Sequence, residues 1–104
     1  MSWNLSFQSV SKADAPAVID ALDFSENDVD GKSEAVIDSM RAQLAAGKAA
    51  AKAALGALAG PNVMGSVWGH ANGVGAGAPP VGWAADSVGC SVAQVDAPAL
   101  QQAA

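Results

Sequence analysis

Two side chains in the second half of the chain are the residues best suited to nucleophilic chemistry. His70 is the only histidine and Cys90 the only cysteine among the 104 residues. An imidazole within hydrogen-bonding distance of a thiol can take its proton and create a nucleophile. Both residues fall on predicted strands, so they can meet only if those strands pair. Small buried cysteines usually pack as hydrophobic side chains, so we predict no catalytic residue and expect that the protein is not an enzyme.

An acidic segment resembles the opening of a calcium-binding loop. In Glu26–Gly31, oxygen-bearing side chains stand at alternate positions and a glycine follows, as in such loops. The twelfth position should carry a bidentate glutamate, but here it is Ile37. The match fails at the ligand that contributes most to affinity, so we predict no metal site and a solvated acidic connector.

A glycine-rich segment, Gly73–Ala78, has spacing that is superficially similar to a dinucleotide-binding fingerprint. That motif works by leading from a strand into a helix whose N-terminus receives the pyrophosphate. Here Pro79 and Pro80 follow at once, so no helix begins. We therefore predict a hairpin loop over residues 72–85 and no cofactor.

Two tryptophans lie close to the ends of this predicted loop: Trp68 shortly before it and Trp83 near its C-terminal end. Aromatic side chains beside a glycine-rich loop are typical anchors for a protein partner. Together with His70 they form our candidate partner-binding residues. The alternative is that both tryptophans complete a core that is otherwise rich in alanine.

The element that must position these groups is a long helix predicted over residues 33–59. Ser33 can cap its N-terminus, Glu34 suits the positive end of the helix dipole, and Gly60-Pro61 ends it. Apolar and small residues recur at steps of four, four and three, which is typical of one buried helical face. That predicted face comprises Val36, Met40, Leu44, Gly47, Ala51, Leu55 and Leu58.

Three other segments alternate apolar and polar residues, and a fourth carries helix signals. Residues 1–11 alternate apolar and polar side chains and predict a strand, as do residues 62–71 and 86–96, which form a hairpin. Residues 13–23 predict a short helix. The chain thus reads as one α+β domain over residues 1–104 in the order β-α-α-β-β. We expect a three-stranded sheet with the long alanine-rich helix on one face.

The predicted topology follows from the right-handed crossover rule. A strand–helix–strand crossover makes the first two strands parallel, and the hairpin then places the third strand antiparallel, most simply between them. Apolar residues occur on both faces of these strands, and one helix covers only one face. We therefore expect a second copy to cover the open face or extend an edge, giving a homo-oligomer or an obligate partner.

The charge balance narrows the classes of partner. The formal net charge is -5 and the pI is about 4.3, which argues against nucleic acid and anionic membrane. The N-terminus lacks the basic and apolar regions of a signal peptide. The alanine-rich segment 42–59 contains two lysines, so we do not expect it to span a membrane. We expect a protein of the virion or the host cytoplasm, not one secreted through a signal peptide.

The layout resembles small proteins of unassigned function encoded by bacteriophages of actinobacteria. The features that carry the resemblance are Ser2–Ser6, the alanine-rich helix, Gly69–Asn72 and Ser87–Val92. The resemblance implies a phage accessory protein. We expect a virion structural, decoration or minor capsid-associated subunit that acts by self-association and contact with another protein. The alternative is a small intracellular phage protein that inhibits a host or defence protein or sequesters a ligand.

Overall fold

The computed structural model describes residues 2–70 and 87–95 of the chain. The architecture is α+β: the described residues form one three-stranded sheet, and a long alanine-rich helix packs on one of its faces, as predicted. The elements in chain order are β1 (Ser2–Ser11), α1 (Ala15–Ala21), α2 (Glu26–Val29), α3 (Glu34–Leu55), β2 (Asn62–His70) and β3 (Val88–Val95).

The strand directions differ from the prediction. The sheet order is β1-β2-β3, so β2 is central, and both strand pairs are antiparallel. In this register Trp3 lies opposite Gly69, and Val67 lies opposite Cys90. The predicted parallel pairing of the first two strands, with the third between them, is therefore wrong.

The reason is that the chain crosses the sheet twice between β1 and β2. After α1, the Phe24 ring packs edge-on against Trp3 with a centroid distance of 5.2 Å, so the chain has already returned to the beginning of β1. Helix α3 then runs back to the opposite end, where the Lys12 backbone N–H donates to the Pro61 carbonyl at 2.8 Å. The right-handed rule applies to a single crossover, whereas two successive passes bring β2 back antiparallel to β1.

Helix α3 begins where its sequence signals place it and ends earlier than predicted. The Ser33 hydroxyl accepts a hydrogen bond from the Val36 backbone N–H at 3.2 Å, as expected of an N-cap. The helix ends at Leu55 because the next residues bond to carbonyls three positions back, Ala57 to Ala54 and Leu58 to Leu55, which tightens the last turn.

The remaining elements match their predicted positions within a few residues. Helix α1 is shorter than the predicted 13–23, and each strand begins and ends at its predicted limit or no more than two residues inside it. Helix α2 lies in the segment that we expected to be a solvated acidic connector. A capping box forms it, because Ser25 and Asp28 each bond to the backbone N–H of the other. The predicted loop 72–85 lies outside the described residues.

The buried hydrophobic side chains of the described residues, apart from Val95, share one core between the sheet and the helices. Trp3 and Phe7 of β1 face the same side as Val63 and Val67 of β2, and α3 covers them with its predicted face. The buried α3 residues are Val36, Met40, Gln43, Leu44, Gly47, Ala51 and Leu55. Helix α3 can lie this close to β2 because residue 47 is a glycine: a Cβ on Gly47 would lie 3.3 Å from the Val67 Cβ.

Candidate functional site

The structure separates the two residues that could have formed a nucleophilic pair. Cys90 lies opposite Val67 and packs, half-buried, against the core on the helix side of the sheet. His70 follows Val67 by three positions, so strand alternation places it on the other side. Although β2 and β3 do pair, the thiol and the imidazole face opposite sides of the sheet and form no catalytic pair.

His70 is held in place by a buried polar network at one end of the sheet. Its Nδ1 lies 3.1 Å from the Ser2 hydroxyl, and its carbonyl accepts a 2.7 Å hydrogen bond from Gln43 Nε2. The Oε1 of the same Gln43 accepts from Trp3 Nε1 at 3.0 Å. The glutamine thus connects β1, α3 and β2, and its arrangement fits a structural role.

Sequence reasoning missed Gln43, although a signal was present. It follows Met40 by three positions and precedes Gly47 by four, which is the spacing of the buried face. Its side chain is 8% exposed. A polar residue in that stripe must find partners inside the protein, and the Trp3 indole N–H is one of them.

The acidic segment serves as a helix cap. The Asp28 carboxylate accepts hydrogen bonds from the Ser25 backbone N–H at 2.8 Å and from its hydroxyl at 3.0 Å. Among residues 2–70 and 87–95, no group of three or more His, Cys, Asp or Glu side chains is placed to hold a metal ion. Asp28 therefore stabilises α2 in the place where the sequence resembles a calcium loop.

The three predicted partner-binding residues do not form a common pocket in the described structure. Trp68 is half-buried on the side of the sheet away from α3, and a Cβ on Gly89 would overlap its six-membered ring. His70 is two residues further along β2 and is fully buried. Trp83 lies outside the described residues. Trp68 is thus packed against β3, and the His70 side chain is not at the surface.

The sheet face away from α3 carries both polar and apolar groups, as we expected, with Met64 and Trp68 on its central strand. Asn4, Ser6 and Gln8 are exposed on β1, and Ser66 lies opposite Ser6 in the register. A shallow groove of about 360 Å³ crosses all three strands on this face. Of the large hydrophobic side chains described on this face, only Met64 is exposed, and an antiparallel sheet can leave one such face in water.

No strand of the described structure carries a charged residue. Of the ten acidic residues, Asp86 and Asp96 lie outside the described residues; the other eight and all five basic residues fall between Lys12 and Lys52. They therefore belong to the helices and their connections. The sheet is neutral throughout Ser2–Ser11, Asn62–His70 and Val88–Val95.

The two edge strands lack the usual protection against strand pairing, but to different degrees. Proteins commonly place charges, prolines or bulges on edge strands, because unpaired backbone N–H and C=O groups invite another strand. Neither β1 nor β3 contains a charge or a proline. β1 does contain a bulge, since its register with β2 shifts between Phe7 and Val10, whereas β3 pairs with β2 in unbroken register from Val88 to Val95.

No family model, curated protein or solved structure matches this chain. Its function is accordingly argued from its own residues. In the described part of the chain, none of the helices has both the length and the hydropathy that crossing a bilayer demands.

Proposed function

We propose that this chain is a non-enzymatic structural subunit that acts by associating with itself and with another protein of a larger assembly. The observation that carries the proposal is the neutral sheet with two edge strands that lack charge and proline. A free strand edge offers a row of main-chain donors and acceptors, and another strand satisfies them all at once. Such an interaction needs no pocket and no reactive group.

The distribution of charge supports association through the sheet. Copies of an acidic chain repel one another wherever their acidic surfaces meet. Here the eight described acids lie in the helical part, between Asp14 and Asp38. Two copies that meet edge to edge through their strands bring no like charges of the strands together, so the sheet is the part of the chain best suited to self-association.

The virion is the assembly that we propose, on the resemblance to small proteins of actinobacteriophages. In that role the chain is a decoration or minor capsid-associated subunit, made in the host cytoplasm and carried on the particle. An antibody raised against the chain should detect it in purified particles of the phage that encodes it. Detection only in the particle-free lysate would contradict the virion role.

The alternative, a ligand-sequestering or inhibitory protein, has less support from the geometry. It requires a pocket around Trp68, His70 and Trp83. The His70 side chain is buried, and Trp68 lies against Gly89. Neither presents the open aromatic surface that a bound ligand would need.

The mass in solution tests the proposed self-association directly. The chain has a mass of 10.2 kDa, so light scattering behind a sizing column should give a mass that rises towards at least twice that value as the loaded concentration is raised. The mass should be the same at low and high salt, because exposed charges are screened by salt and the strands have none. A monomer at every concentration up to about 1 mM, the range that covers weak association, would contradict self-association.

A further inference from the structure

We infer that β3 is the self-association edge and that it pairs antiparallel with β3 of a second copy across a two-fold axis, making one six-stranded sheet. This inference rests on the proposed self-association and names the strand responsible. The first argument is the regularity of β3. All eight of its residues, Val88–Val95, are in unbroken register with β2, so among the described residues β3 is the edge strand with the regular antiparallel pattern of outward backbone groups.

The other edge is less suitable for the same purpose. The bulge in β1 inserts one extra residue between Phe7 and Val10, and bulges bend and twist an edge strand away from further pairing. With one usable edge per chain, association closes at two copies. Two usable edges would instead pair β1 with β3 of the next copy and continue as an open filament.

An exposed apolar side chain lies on the same strand. Val88 is 39% exposed, and it is one of only two large hydrophobic side chains exposed among the described residues. Its Cγ2 lies 3.5 Å from the position of a Cβ on Gly47, so it lies beside α3 on the helix side. A second β3 alongside would reduce the exposure of Val88 to water.

The alternation and the length of β3 limit the register in which it can pair with β3 of the second copy. Residues directly opposite each other in a continuous sheet must face the same side, so a two-fold axis has to pass beside a residue. Axes beside Ser91 and beside Val92 each pair seven of the eight residues, and only the axis beside Ser91 includes the exposed Val88. It places Ser91 opposite Ser91 of the second copy. It also places Cys90 opposite Val92 on the helix side, where both are packed against the core. Gly89 then lies opposite Ala93 and Val88 opposite Gln94, and none of the seven paired residues carries a charge.

The expected dimer is weak. Eight residues span about 27 Å of strand, and an edge contact of that length falls below the size of a stable interface. We expect a dissociation constant in the range of about 1 to 100 µM, so the dimer must be studied across that range of concentration.

Disulfide trapping tests the register with a matched control. Ser91 and Ser6 lie opposite the same residue, Ser66, one on each edge strand, and both are exposed. In a Cys90→Ala background, Ser91→Cys places two thiols opposite each other at the axis, within the Cα separation that a disulfide needs. Ser6→Cys introduces the same group on the other edge. Under mild oxidation we expect at least about ten-fold more covalent dimer from Ser91→Cys.

The outcomes separate this inference from the proposed function. Preferential cross-linking through Ser6→Cys would overturn the assignment to β3, and so would equal trapping of the two variants. A non-covalent dimer by light scattering that neither cysteine traps would also overturn the β3 pairing while leaving self-association standing. A monomer at all concentrations would contradict the proposed function as well. Circular dichroism of both reduced variants establishes that each keeps the native fold.

Discussion

The Trp3 indole N–H donates a 3.0 Å hydrogen bond to the Oε1 of Gln43, 40 residues away in the chain. The same glutamine donates through its Nε2 to the His70 carbonyl at 2.7 Å. One side chain on α3 therefore connects the beginning of β1 to the end of β2. This connection lies at the end of the sheet where the chain returns before entering α3, so it helps to hold the antiparallel arrangement of the two strands.

Replacement of Gln43 by leucine should destabilise the protein by about 2 kcal/mol, because it removes two buried hydrogen bonds at once. The free energy of unfolding in urea measures the effect. Gln8→Leu is the matched control, since Gln8 is exposed on β1, and it should change stability by less than about 0.5 kcal/mol. Equal effects of the two substitutions would show that the network contributes nothing beyond the polarity of the residue.

A methyl group at Gly89 should be poorly tolerated, because Trp68 already fills that space. Gly89→Ala should cost about 1 to 3 kcal/mol, as overpacking does, and should change the near-UV circular dichroism as the indole moves. Gly56→Ala is the comparison. Gly56 has helical φ and ψ of -62° and -23°, and the only neighbour of its added Cβ is the Ala53 carbonyl at 3.6 Å.

Gly56→Ala should therefore stabilise the protein by about 0.4 to 1 kcal/mol, chiefly because alanine restricts the unfolded chain. The two substitutions add the same methyl group and are expected to change stability in opposite directions. If Gly89→Ala were neutral, Trp68 could not be packed against β3 as described.

A lysine at Ser91 should weaken the dimer and leave the fold intact. Two lysines would face each other across the axis, and like charges directly opposite on paired strands cost up to about 1 kcal/mol. The dissociation constant from sedimentation should rise about five-fold at low salt, and added salt should reverse part of the loss by screening. Ser6→Lys on β1 is the control, with no expected change in the dissociation constant. A larger effect at Ser6 would place the interface on β1.

A glutamate at Met64 should leave the dimer unchanged. Met64 is 41% exposed on the central strand β2, on the side of the sheet away from α3. The proposed interface is instead at an edge of the sheet. The dissociation constant of Met64→Glu should stay within about two-fold of the native value. Ala49→Glu, at an exposed position of α3, controls for the added negative charge. Dissociation caused by Met64→Glu alone would show that the copies meet face to face.

Local patterns in the sequence were enough to predict most elements of this fold. The buried face of α3 follows from the spacing of its apolar and small residues, and Ser33 is the cap that its position predicts. The alternation in β1 places Trp3 and Phe7 inside, as expected. Such features depend on residues within one or two turns of one another, so the chain determines them before any distant contact forms.

The tertiary structure determined the directions in which the strands run and the sides of the sheet on which distant residues such as Cys90 and His70 lie. The period of a strand is the same in either direction, so the sequence pattern could not show that the chain crosses the sheet twice and returns antiparallel. Pairing β2 with β3 then placed Cys90 and His70 on opposite sides, and the packing of α3 on the sheet brought Gln43 to Trp3. The bulge in β1 also arises only on pairing, and it distinguishes the backbone of the two neutral edges. These are relationships between residues far apart in the chain, and only the packing of the helices against the sheet fixes them.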